Sequence, residues 1–219
     1  MSAIFIDVDV QRDFCAADGA LFVQGSPNEA FRGLTQWALE QRIPIIGSVD
    51  SHAYDAWEFA SNDNVGPDGQ NPGFPDHCIK GTPGWLKVDG TLAERFRFVP
   101  NVNGVDVAAL VGEVKSSRTQ ALYFEKEVYS MFANPLAEPF LQELCRQLDE
   151  PPRFYVYGVA TDYCVKAATL GLRERDYETV LIRDAIAGIT PDGVEAAMTE
   201  MRDAGVTFQT VADVTAPPS

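Results

Sequence analysis

Apolar residues in this chain come as short unbroken runs set between stretches of helical periodicity. The runs fall at 4–6, 43–49, 121–124, 154–159, 179–182 and 206–208. They are β-branched or aromatic and carry little polar alternation, the pattern of strands buried on both faces of a parallel sheet. Helix signals lie between them. Ser26-Pro27-Asn28-Glu29 combines the residues of a capping box with proline at the first helical position, ahead of Phe31, Leu34 and Ala38 on one face. Phe140, Leu141, Leu144 and Leu148 recur at helical spacing behind Pro139, and Val165, Ala168, Thr169 and Leu172 follow Thr161-Asp162. Pro191 opens a further stripe of Val194, Ala197, Met198 and Met201, with Gly205 placed to terminate it. Strands alternating with helices predict a three-layer α/β/α sandwich around a mostly parallel sheet.

Two segments fit this rhythm poorly. Residues 61–76 are rich in Asn, Asp, Gly and Pro and read as a long surface loop. Residues 85–117 mix turn signals with short apolar pieces, including a possible helix over 105–114. With no repeat and no Gly/Ser linker, 1–219 reads as one domain. The composition, 46% hydrophobic and 22% charged, supports a full core. No apolar stretch of about 18 residues marks a membrane span. The N-terminus reaches Asp7 and Asp9 without a basic region, so it does not read as a signal peptide.

Charge narrows the function. Seventeen Lys and Arg stand against 32 Asp and Glu, a formal charge of −15. Such a surface repels nucleic-acid phosphates and anionic lipid, which leaves a small neutral or weakly charged molecule as the expected partner. Four cysteines without a CxxC pair, in a chain large enough to fold unaided, suggest reduced thiols and a cytoplasmic location.

Ligands of an open parallel sheet bind beyond the carboxyl ends of its strands. After the first run comes Asp9; after the second, Asp50-Ser51-His52; after the third, Lys126; after the fourth, Ala160-Thr161-Asp162-Tyr163-Cys164. One sheet edge thus collects an acid, a metal-type pair, a lysine and a thiol. Cys164 falls in the first turn of an expected helix, where free N–H groups and the helix dipole favour thiolate. A small buried cysteine with no chemistry would read the same way. Both histidines, His52 and His77, lie far from Cys164 in sequence, so Asp9 is the candidate base, with Lys126 holding the charged form. The bland alternative is an Asp9–Lys126 ion pair without catalytic duty. Asp50, His52 and His77 form a common ligand set for zinc, manganese or iron, and Glu58 could supply a fourth donor; two ordinary surface histidines would read the same way.

Taken together, these residues resemble the isochorismatase-like cysteine hydrolases, and within them the nicotinamidase (pyrazinamidase) group. Asp9-Val10-Gln11-Arg12-Asp13-Phe14 is similar to the family's first-strand signature, and Val49-Asp50-Ser51-His52 to its first metal segment. His77-Cys78-Ile79-Lys80-Gly81-Thr82-Pro83-Gly84 resembles its second metal segment, and Phe124-Glu125-Lys126 its lysine strand. Gly158-Val159-Ala160-Thr161-Asp162-Tyr163-Cys164-Val165 resembles its nucleophile turn. The resemblance implies that Cys164 attacks a carboxamide, Asp9 shuttles the proton and Lys126 stabilises the pair. It further implies an oxyanion site on the N–H groups of Ala160 and Cys164, beside a cis peptide between Val159 and Ala160. Asp50, His52 and His77 would bind a divalent metal, zinc foremost with iron or manganese as alternatives. Relatives carry histidine or glutamate where Glu58 stands, and the stretch from His77 to Lys126 is longer than in compact relatives, which implies an insertion at about 85–117. Phe14, Phe74 and Tyr129 fall at the aromatic walls, Phe74 where tryptophan is frequent. The activity implied is hydrolysis of nicotinamide to nicotinate and ammonia in NAD salvage, by a protein that could form homo-oligomers. Relatives acting on another small amide or ureide share the Asp, Lys and Cys positions but lack the metal triad, so Asp50, His52 and His77 discriminate between the two. A non-catalytic metal-binding relative would show decay at a reactive position, and none is visible.

Overall fold

The computed structural model describes residues 2–66, 68–69 and 71–216. Each apolar run becomes a strand. In chain order these are β1 (Ala3–Val8), β2 (Ile45–Asp50), β4 (Ala121–Lys126), β5 (Arg153–Val159), β6 (Glu178–Ala187) and β7 (Thr207–Gln209). The seventh strand, β3 (Phe96–Val99), comes from the segment whose pattern was ambiguous. All pair in parallel, in the order β3-β4-β2-β1-β5-β6-β7. Every residue of β2 and of β4 is buried, which is why neither shows polar alternation.

Among the described residues seven α-helices accompany the sheet: α1 (Arg12–Cys15), α2 (Asn28–Glu40), α3 (Val107–Lys115), α4 (Ala137–Arg146), α5 (Lys166–Arg173), α6 (Pro191–Asp203) and α7 (Val211–Thr215). One face of the sheet offers Ile4, Ile6 and Val8 to a core closed by Leu110 of α3, Phe140 of α4, Ala168 of α5 and Ala197 of α6. The opposite face packs Phe5, Ile45 and Tyr157 against Phe31, Leu34 and Ala38 of α2, with Val211 and Val214 of α7 at its border. The result is the expected α/β/α sandwich.

Several local expectations are corrected. The capping box at Ser26 does not form: Pro27 is the capping residue of α2, and the Ser26 hydroxyl donates to the Val23 carbonyl at 2.7 Å. A reciprocal box occurs instead on α7, between Thr210 and Asp213. Leu148 lies beyond the end of α4. Gly205 does follow α6 with φ +81, and Thr190 caps its start by accepting from Gly193 N–H. Within 85–117 the chain forms β3 and α3, the latter capped by Asp106.

The connections run from β1 outward through β2 toward β3 and β4, then restart on the far side of β1 with β5, β6 and β7. The order therefore reverses between β1 and β5, and their carboxyl ends flank the crevice where such sheets bind ligands. Close approach is built in there. A side chain at Gly47 would collide with the Asp7 carbonyl, and one at Gly158 with the Val8 carbonyl, so glycine on each flank lets β1 sit tightly between its neighbours.

Candidate active site and metal centre

Four strand ends deliver the side chains that the sequence brought to notice. Asp9 follows β1 in left-handed conformation (φ 49), which strains a residue other than glycine by about 1–3 kcal/mol and turns its carboxylate into the crevice. Asp50 and Lys126 close β2 and β4 and are register partners. Cys164 lies in a π-helical turn, Thr161–Val165, between β5 and α5. The Lys126 ammonium is 2.9 Å from Asp9 Oδ2 and 3.4 Å from Cys164 Sγ, and it also donates to Asp50 Oδ1. Reactive atoms of Asp9, Asp50 and Cys164 all lie within 4.8 Å of one another. Ser48 donates its hydroxyl to Asp9 Oδ1 at 2.8 Å.

Burial sets the electrostatics of this group. Desolvation raises the Asp9 carboxyl above its ordinary value despite the opposing pull of Lys126. Desolvation also opposes ionisation of Asp50, but Lys126 and His52 outweigh it and hold that carboxyl low. Burial would lower Lys126, yet Asp50 and Asp9 lift it well above the usual lysine value. The Cys164 thiol is pushed well up, first by burial and then by Asp9 and Asp50, against the pull of Lys126. This corrects the expected thiolate. The sulfur sits in a π turn under a low-dielectric cover rather than at an exposed helix start, and that cover disfavours the thiolate.

A second cluster adjoins the first through Asp50. Donor atoms of Asp50, His52, Glu58 and His77 converge within 4.8 Å, all four residues being buried. His52 Nε2 lies 2.8 Å from Glu58 Oε1 and 3.8 Å from Asp50 Oδ2, and His77 Nε2 lies 3.3 Å from Glu58 Oε1. Neither ring nitrogen of His52 has an aligned hydrogen-bond partner, whereas His77 Nδ1 meets the Pro75 carbonyl at 2.8 Å. Donation from Nδ1–H to that carbonyl leaves the His77 Nε2 lone pair facing the cluster, as metal-binding imidazoles are commonly arranged. Burial would lower the His52 imidazole, but contacts with Asp50 and Glu58 overcome it and raise the value to about 9. A pocket that draws a proton so strongly suits a cation. Two imidazoles and two carboxylates at this spacing fit a divalent ion.

The supports of this cluster were less visible in the sequence. His52 pairs its backbone with the 78–80 segment, through His52 N–H to Cys78 carbonyl (3.1 Å) and Lys80 N–H to His52 carbonyl (3.0 Å). Asp13 fixes that segment by accepting from Cys78 N–H at 2.7 Å, where Cys78 takes φ 46. Gln11 brackets Asp50, accepting from its N–H at 2.8 Å and donating to its carbonyl at 2.9 Å. Both residues stand in the first-strand motif, so the signal existed without the role.

The three aromatic residues expected as pocket walls lie beside the two clusters or against Tyr163. Phe14 lies 5.1 Å from the His77 ring, Phe74 lies 6.2 Å from it, and Tyr129 reaches Tyr163 at 5.2 Å. Two further rings complete them. Tyr163, beside Cys164, contacts Phe74 at 5.6 Å, and Trp57, beside Glu58, contacts Tyr129 at 5.7 Å. A cavity of about 510 Å³ opens alongside, lined by His52, Ala53, Trp57 and Glu127 among others.

Comparison with known proteins identifies the family of the chain and relatives that share its fold. Residues 3–213 match the isochorismatase domain. A nicotinamidase of Escherichia coli is 28% identical, covering 94% of this chain and 93% of its own. A nicotinamidase/pyrazinamidase of Mycobacterium tuberculosis is also 28% identical, with 94% and 97% covered. The crystal structure of a pyrazinamidase from Pyrococcus horikoshii in complex with zinc superposes with TM-score 0.69 at 26% identity, covering 96% of this chain and 99% of that one.

Proposed function

The chain belongs to the isochorismatase family, and from that premise we propose that it is a metal-assisted cysteine amidohydrolase converting nicotinamide to nicotinate and ammonia. The observation that carries this is the junction at Asp50, where a thiol–carboxylate–ammonium group meets a four-donor metal cluster. The similarity to enzymes named nicotinamidase supports the choice of amide.

In this reading Asp9, with its raised pKa, takes the Cys164 proton as sulfur bonds to the amide carbon. The carbonyl oxygen becomes an oxyanion and is met by backbone N–H groups at Ala160 and Cys164. The Ala160 carbonyl accepts from Tyr163 and Val165 N–H, both at 3.1 Å, and passes over Cys164 N–H between them. The Val159–Ala160 peptide is cis, as the resemblance implied. Protonated Asp9 then gives its proton to the departing nitrogen; the C–N bond breaks and ammonia and a thioester remain. Asp9, again a carboxylate, deprotonates water for attack on the thioester, and Cys164 recovers its proton as the C–S bond breaks. Lys126 keeps the Asp9–sulfur pair near a positive charge throughout. A divalent cation on Asp50, His52, Glu58 and His77, with zinc foremost and iron or manganese as alternatives, would offer the pyridine nitrogen a Lewis-acidic anchor. Phe14, Phe74, Tyr129 and Tyr163 would wall the ring.

A cytoplasmic setting and a place in NAD salvage belong to the same proposal, since a nucleophilic thiol must stay reduced. Among the described residues no helix is long and apolar enough to cross a membrane.

Metal-loaded protein given nicotinamide should release one ammonia per nicotinate at a turnover of about 1–100 per second. A panel with pyrazinamide, benzamide and small ureides should favour the pyridine and pyrazine amides. Folded, metal-loaded protein without turnover on nicotinamide or pyrazinamide would sink the proposal. The cation's part is separable. Chelation, or His52→Ala, should raise the KM for nicotinamide by about 10–100-fold while leaving the far-ultraviolet dichroism unchanged. None of Asp50, His52, Glu58 and His77 is a member of either core beside the sheet. Unfolding on chelation would instead make the metal a structural one.

A further inference from the structure

A second buried ion pair lies near the first and takes no part in the reaction above. Asp7, two residues before Asp9, meets Lys87 at 2.6 Å, and their side chains are 0% and 1% exposed. The ammonium also sits 4.6 Å over the Tyr123 ring. Burying two charges is costly even when they pair, and sequence patterning gave no notice of Lys87. What the pair fastens is specific. Lys87 forms an antiparallel bridge with Gln11, flanked by Arg12 N–H to Leu86 carbonyl (2.9 Å) and Val88 N–H to Val10 carbonyl (3.1 Å). The Trp85 carbonyl accepts from the Gln11 amide at 2.9 Å, and the Trp85 indole donates to Ser51 Oγ at 2.7 Å. That same Gln11 amide brackets the Asp50 backbone. A continuous path therefore runs from the Asp7–Lys87 pair through 85–88 to the end of β2.

We propose that the 85–88 segment, pinned by Asp7 and Lys87, is a clamp that holds the Asp50–Ser51 backbone in place, so that Asp50 can face Lys126 and the histidines together. Neither Asp7 nor Lys87 touches the reacting atoms; they are positioning residues. The inference rests on the reading above only for the importance of Asp50.

The deciding experiment compares hydrogen exchange in metal-free wild type and the Asp7→Leu/Lys87→Met double variant. Removing both charges at similar volume is generally compatible with folding, whereas removing one strands the other. Amides at 48–52 should exchange at least ~10-fold faster in the double variant, with 180–182 on β6 unchanged. Titration with zinc alone should show affinity about 10-fold weaker. Trp85→Phe, which keeps the ion pair and loses the indole donor to Ser51, should shift exchange at 48–52 in the same direction. Unchanged exchange at 48–52, with any acceleration confined to 85–89, would overturn the clamp and leave the pair a local fastening. Exchange is independent of substrate, so a wild type inert toward nicotinamide would refute the proposed reaction and leave this comparison readable.

Discussion

Cys164→Ala should abolish nicotinamide hydrolysis, with kcat falling on the order of 10⁵-fold or more, while the protein stays folded. The size of the effect follows from the chemistry assigned to sulfur. Without it there is no covalent intermediate, and Asp9 would have to activate water directly on an amide whose leaving group is poor. Nucleophile deletions in acyl-transfer enzymes cost about 10⁶ in kcat, the residual rate coming from binding and oxyanion stabilisation. Stability should change little. Cys164 is a small side chain whose sulfur accepts at 3.4 Å from an ammonium already served by Asp9 and Asp50. The truncation removes one buried sulfur and leaves no unpaired charge, for a cost of about 1 kcal/mol. Ammonia release measured beside a denaturant titration separates the two effects. Activity within tenfold of wild type would remove Cys164 as the nucleophile.

The site was legible in the sequence to the extent that strand ends are. Runs buried on both faces announce themselves by lacking polar alternation, so the residues after each run could be read off, and Asp9, Asp50, Lys126 and Cys164 do meet. What one-dimensional pattern does not carry is reach across loops. Glu58 lies in irregular chain, and its place is fixed by pairing of Phe59 with Phe74, a bridge without a periodic signal. β3 is an edge strand whose first two residues are exposed, so it lacks the fully buried look of its neighbours. Lys87 sits among turn residues and reads as surface, although it pairs with an aspartate 80 positions away. The state of the Cys164 thiol was misjudged for a related reason. Sequence indicates a helix start but not the cover that pushes the thiol up. Gly-Val-Ala-Thr-Asp-Tyr-Cys gave the turn, while Tyr163 and its ring contacts became visible only once Phe74 and Tyr129 were in place.

Lys126→Met should also damage turnover severely, though less than loss of the sulfur, and, unlike it, should destabilise the fold in a pH-dependent way. The ammonium is fully buried and faces two carboxylates, Asp9 and Asp50. Methionine fills similar space and supplies no charge, so two acids are left facing each other away from water. Breaking a buried ion pair from one side costs about 3–5 kcal/mol. The sign of the pH dependence follows from Asp9. Burial raises its folded pKa above 3.8 and Lys126 is the main force holding it down, so in the variant it climbs further. A carboxyl that binds its proton more tightly folded than unfolded stabilises the fold at low pH. That contribution is lost as pH rises from about 3.8 through the folded value. The deficit of Lys126→Met relative to wild type should therefore be smaller at pH 5 than at pH 8 in urea unfolding. The same protonation opposes catalysis, because a protonated Asp9 cannot accept a proton from Cys164. A kcat loss of at least ~10³-fold at pH 7 is expected, since base and electrostatic support fail together. An equal stability deficit at both pH values would show that Asp9 does not take up the proton. Near-normal turnover would separate Lys126 from the chemistry altogether.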